Sequence, residues 1–126
     1  MRYPRLMMVA LSLQVLWLCA TGCSKNVTAP PPLPADQLPA AMQKAFSKAK
    51  PEIKEVADQV VASLQATDYA KAFAGMQKLG GQSGLNKEQI DVITRGSLTL
   101  NGLLQAAQTQ GDQKAAETLK TYRINK

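Results

Sequence analysis

The 126-residue chain predicts an all-α fold, a small up-and-down bundle of four to five helices over residues 36–126. Three observations predict it. Past Asp36, apolar residues recur at three- and four-residue intervals, the period that lines one face of a helix. Glycine, proline and cap-forming Asp or Asn divide this stretch into pieces of helix length. No piece alternates apolar and polar residues as a half-buried strand would. About ninety residues suffice for one domain and not for two.

The first helix, about 39–50, places Leu38, Met42, Phe46 and Ala49 on one side, with Lys44 and Lys48 away from it. Pro51 closes it, because its ring pushes Lys50 out of the α region while suiting the first turn of the next helix. That second helix, about 51–66, aligns Ile53, Val56, Val60 and Leu64 and leaves Glu52, Glu55 and Asp58 outside. Thr67 or Asp68 caps a third helix, which buries Tyr69, Phe73 and Met76 and stops at Gly80-Gly81. Next comes the clearest local signal. Asn86 can cap, Gln89 can reach back to it, and Leu85 can pack on Ile90, a capping box with a hydrophobic staple.

The fourth helix runs to about Gln110 with Ile90, Ile93, Ser97, Leu100, Leu104 and Ala107 along its stripe. Gly96 and Gly102 are candidates for close helix approach. Gly111 ends this helix, and Asp112 starts a fifth whose Ala116, Leu119 and Tyr122 face inward. Short connections make successive helices antiparallel, hence the bundle. The similar helix starts at Asp68 and Asp112 offer an alternative, two stacked hairpins of the tetratricopeptide kind, although that repeat's signature residues are missing. Alanine fills many inward positions, and Phe46, Phe73, Tyr69 and Tyr122 supply the aromatic bulk.

The first 35 residues differ in kind. Arg2 and Arg5 precede a mostly apolar stretch, Leu6 to Ala20, and small residues follow it, the anatomy of an export signal. The stretch is shorter than the ~20 apolar residues of a spanning helix. Its end, Ala20-Thr21-Gly22-Cys23, resembles the lipobox of bacterial lipoprotein precursors, with Ala20 where that family most often has leucine. The resemblance covers this region alone. It implies that residues 1–22 are a cleaved signal peptide and that Cys23 becomes the lipidated first residue. Cys23 would carry a thioether-linked diacylglycerol and an amide-linked acyl chain, so the membrane is a partner through those chains. Two chains suffice for stable anchoring. Ser24 follows Cys23, rather than the aspartate that retains such proteins at the inner membrane, which implies the outer membrane, facing the periplasm. Residues 23–35 read as the lipidated cysteine and a linker. Within it, Asn26-Val27-Thr28-Ala29-Pro30-Pro31-Pro32-Leu33-Pro34 favours extended polyproline II, and the twelve residues 24–35 make a semi-rigid spacer reaching ~35 Å at ~3.1 Å per residue.

The chain contains no histidine, and Cys19 and Cys23 are its two cysteines. With Cys19 lost in the signal and Cys23 acylated, Ser-His-Asp and Cys-His arrangements and ordinary zinc or haem sites have no residues to use. We therefore expect no catalytic, cofactor-binding or metal-binding residues. Gly80-Gly81-Gln82-Ser83-Gly84 has the glycines of a phosphate loop but lacks the Gly-Lys-Ser/Thr ending and a preceding strand. Carboxylate chemistry is the one formal opening, through Glu52, Glu55 and Asp58 or Glu88 and Asp91, which share helix faces. Lysines intervene, as on a solvated face. The basic residues are spread along the chain. Export and the lack of a stacking platform argue against nucleic acid.

The sequence thus predicts a non-enzymatic, lipid-anchored module of the bacterial cell envelope that acts by protein–protein contact with a partner it does not identify. The alternatives are a structural lipoprotein that binds membrane or cell wall and, remotely, a carboxylate-dependent hydrolase. An alanine-rich bundle with a leucine seam on its fourth helix also leaves weak homo-oligomerisation open.

Overall fold

The computed structural model describes residues 29–126; the expected signal peptide and Cys23 lie outside the described residues. Five helices follow in order: α1 (Leu38–Phe46), α2 (Pro51–Gln65), α3 (Tyr69–Gly80), α4 (Lys87–Thr109) and α5 (Gln113–Ile124). Helices α1 to α4 form a ring in which each packs on the next and α1 closes onto α4. Helix α1 packs on both α2 and α4, whose backbones stay apart, so the molecule is a bundle rather than two stacked hairpins. Helix α5 packs on α3 and α4.

The 23-residue α4 is the spine, about 35 Å long at 1.5 Å per residue. Leu38 lies against Gly96, and Gln89 Nε2 donates to the Ala45 carbonyl at 3.2 Å. So α1 runs antiparallel to α4 and covers its first half. Helix α5 returns from the α4–α5 turn over the second half.

Helix α1 stops at Phe46, four residues short of the expected end, and its last carbonyls explain why. Ser47 Oγ donates to Lys44 O at 3.0 Å, Gln89 to Ala45 O, and Ala49 N to Phe46 O at 3.1 Å. The turn is complete before Pro51 forces Lys50 into an extended conformation (φ −56°, ψ 148°). Leu38, Met42 and Phe46 are buried as the periodicity requires, and Ala49 packs on the core from the connection.

Helices α2 and α3 bury Ile53, Val56, Val60, Leu64, Phe73 and Met76 as predicted, while Tyr69 is only half-buried. Gly75, which the periodicity did not single out, lets Val60 of α2 pack directly on α3: an added Cβ would stand 2.5 Å from Val60 Cγ2.

On α4 the capping box is present, Gln89 N donating to Asn86 Oδ1 at 2.9 Å and Asn86 N to Gln89 Oε1 at 3.0 Å. Leu85 packs on the core, but Ile90 is 51% exposed, because Gln89, Val92, Ile93 and Gly96 take the inward positions. Gly96 does admit a close neighbour, since a Cβ there would stand 2.8 Å from Leu38 Cδ1 and nearer still to Met76 Cε. Gly102 faces open space. On α5 the buried alanine is Ala115, one position before the expected Ala116, with Leu119 buried and Tyr122 partly so.

Two ends result. At the loop end lie the connections 47–50 and 81–86; at the cap end lie 66–68 and 110–112. The two cap-end turns share one geometry. Asp68 N donates to Ser63 O and Thr67 N to Leu64 O; Asp112 N donates to Ala107 O and Gly111 N to Gln108 O. Each is a Schellman turn that ends one helix while its aspartate caps the next, through Lys71 N and Ala115 N, both at 3.1 Å. The similarity of the two helix starts in sequence is therefore a similarity of turns. Gly111 takes the left-handed position at φ +92°, and Thr67 takes it at φ +56°.

Candidate functional site

The residues before α1 are bound to the domain. Arg95 Nε donates to the Pro31 carbonyl at 2.9 Å, Thr99 Oγ1 donates to the Leu33 carbonyl, and Leu33 packs against the core. Arg95 and Thr99 are about one turn apart on α4, roughly 6 Å, and residues 31 and 33 are two extended steps apart, also about 6 Å, so the two spacings match. Asp91 Oδ2 lies 3.4 Å from Arg95 Nη1 and steadies the guanidinium. Pro34 O then accepts from Gln37 N and Leu38 N, turning the chain into α1. The spacer read from the sequence as running to residue 35 is thus docked from residue 31 onward.

Sequence reasoning missed this clamp, yet signals for it exist. Leu33 is the one large apolar residue in its proline run. Arg95 is the only charged residue between Asp91 and Asp112.

A second feature is an open groove of about 730 Å³ between α3 and α5. Its base is Phe73 and Tyr122, whose rings meet edge to face with centroids 5.1 Å apart. Ala70 and Ala74 give it low apolar walls, and Lys114, Glu117 and Lys126 stand at its rim. Lys126 Nζ lies 5.0 Å from the Tyr122 ring centroid, over its face. The groove exists because α3 and α5 both pack on α4 but meet each other only lightly.

The candidate carboxylates are exposed. Glu52, Glu55 and Asp58 lie on the outer face of α2, with Asp58 paired to Lys54 at 2.7 Å. Glu88 sits in the first turn of α4, where the macrodipole favours an acid, and Asp91 serves Arg95. Gly80 to Gly84 joins α3 to α4, with Gly84 at φ +77°.

Among the described residues no three metal-ligating side chains come together, and no helix is long and apolar enough to cross a membrane. Also among them, every buried side-chain nitrogen or oxygen has a hydrogen-bond partner. One carboxyl is perturbed. The Lys71 backbone N–H, and then the Lys114 ammonium 3.1 Å away, hold Asp68 below its ordinary pKa of 3.8.

No family model, no curated protein and no solved structure matches this chain.

Proposed function

We propose that this protein is a non-enzymatic, lipid-anchored helical module of the bacterial cell envelope that acts by protein contact through the groove between α3 and α5. The groove is the observation that carries the reading. Two aromatic rings and two alanines offer apolar surface, the rim offers charges of both signs, and the opening admits a side chain or a helix edge from a partner. The lipobox-like Ala20-Thr21-Gly22-Cys23 supports the anchor, with Cys23 as the lipidation site. The absence of histidine and the exposure of Glu52, Glu55 and Asp58 support a non-enzymatic role, because acid–base work needs carboxylates with environments that push their pKa values apart.

Photo-crosslinking in intact cells tests this reading. A crosslinking side chain at Ala74 or Thr118, both in the groove, gives a discrete adduct with one partner; the same group at Glu55 on α2 does not. Recovery of free monomer from all three positions contradicts the proposal.

A further inference from the structure

Five lysines that are dispersed in sequence share one end of the molecule. Lys44 is in the last turn of α1, Lys48 and Lys50 are in the α1–α2 connection, Lys78 is in the last turn of α3, and Lys87 opens α4. The loop end gathers them because α1 and α3 finish there and α2 and α4 begin there. All five are exposed, and none has a carboxylate within ion-pair distance among the described residues. Against them this end carries only Glu52 and Glu88, in the first turns of α2 and α4. At the cap end, Asp68 and Asp112 are offset by Lys71 and Lys114; a smaller positive group, Lys120, Arg123 and Lys126 with Glu117, lies along α5 away from both ends.

The clamp on α4 gives the direction of the chain that precedes the domain. Leu33 is held at Thr99 and Pro31 one turn nearer the start of α4, at Arg95. Followed upstream, the chain heads toward the loop end. Seven residues, 24 to 30, separate Cys23 from the clamped Pro31, so the eight steps between them span about 25 Å at ~3.1 Å per residue.

We infer that the loop end faces the membrane and docks its five lysines on the anionic phospholipid headgroups of the leaflet that holds the acyl chains. The inference rests on the lipid anchor at Cys23. Two independent observations converge on it: the short tether leaves toward the loop end, and the largest group of unpaired lysines among the described residues is at that end. Each lysine near an anionic surface is worth roughly fivefold in partitioning. The groove between α3 and α5 then opens on the flank, clear of the bilayer.

The test uses the full lipidated protein, added to preformed vesicles of phosphatidylcholine or of phosphatidylcholine and phosphatidylglycerol in equal parts. Flotation on the neutral vesicles reads the anchor alone. Lysine acylation followed by mass spectrometry then reads the orientation. On anionic vesicles Lys44, Lys48, Lys50, Lys78 and Lys87 react at least fivefold more slowly than on neutral ones, while Lys71 and Lys120 react at the same rate on both. Protection disappears near ~1 M salt, where the Debye length is about 3 Å. It weakens in the R95A/T99A double variant, whose tether is unclamped. Flotation with equal labelling of all lysines on both vesicles overturns the docking while leaving the anchor standing. Protection by added peptidoglycan and not by anionic lipid also overturns it. Failure to float on neutral vesicles overturns the anchor itself.

Discussion

The two ends of the bundle are built on different principles. At the cap end, two short turns close themselves: each satisfies its own helix terminus through a Schellman pair, and each aspartate caps the next helix within three residues. At the loop end a long-range bond is added to the local ones. Gln89 completes a capping box locally and also reaches forty-four residues back in sequence to the Ala45 carbonyl that ends α1. The cap-end turns use neighbouring residues alone, whereas at the loop end one buried amide, Gln89, ties α4 to the end of α1. Stability should therefore respond unequally to equivalent changes at the two ends.

The largest expected effect breaks the loop end. Gln89→Ala removes half the capping box and leaves the Ala45 carbonyl buried without its partner, a loss of about 2 kcal/mol in urea unfolding. A pair of glycine substitutions comes next, with opposite signs on one helix. Gly96→Ala drives a methyl into buried Leu38 and Met76 and destabilises by about 1 kcal/mol after the gain in helix propensity. Gly102→Ala adds a methyl into open space and stabilises by about 1 kcal/mol. Equal signs in thermal melts of the two would show that α1 is not seated on α4 as described.

At the cap end, Asp68→Ala costs about 1 kcal/mol through the lost cap. It also removes an acid-sensitive contribution. Because folding lowers the Asp68 pKa below 3.8, its carboxylate stabilises the fold fully above that pH, and the contribution is lost as pH falls through the folded value. Unfolding curves of wild type and Asp68→Ala should therefore converge in acid, whereas the Asp112 cap carries no such Lys114 pair. The smallest effect sharpens the likeness of the two turns. Thr67→Gly relieves a left-handed β-branched residue and raises stability by somewhat under 1 kcal/mol, bringing the first turn to the form the second has with Gly111.

What could be read from the sequence divides along the same line. Helix faces, the Asn86 capping box, the start of α2 at Pro51, the stop at Gly111 and the aspartate caps are encoded within a few residues, and the structure has them. Ile90 misled because three-four spacing alone does not say whether Ile90 or Gln89 precedes Ile93 on the inward face, and Gln89 does. The Arg95 and Thr99 clamp, the gathering of five lysines and the α3–α5 groove each join residues far apart in sequence. They follow from where the ring of helices closes, which periodicity does not carry. Leu33 and Arg95 were legible only as residues out of keeping with their neighbours.

The tether that the clamp holds leads to Cys23, and the account depends on what that residue carries. Intact-mass and peptide mass spectrometry of the protein isolated from cell membranes tests this most directly. The account predicts a chain beginning at Cys23, with a diacylglyceryl thioether on its sulfur and an acyl group on its amine. A free thiol at Cys23, on a chain that retains Met1 to Gly22 or is cut elsewhere, would contradict it.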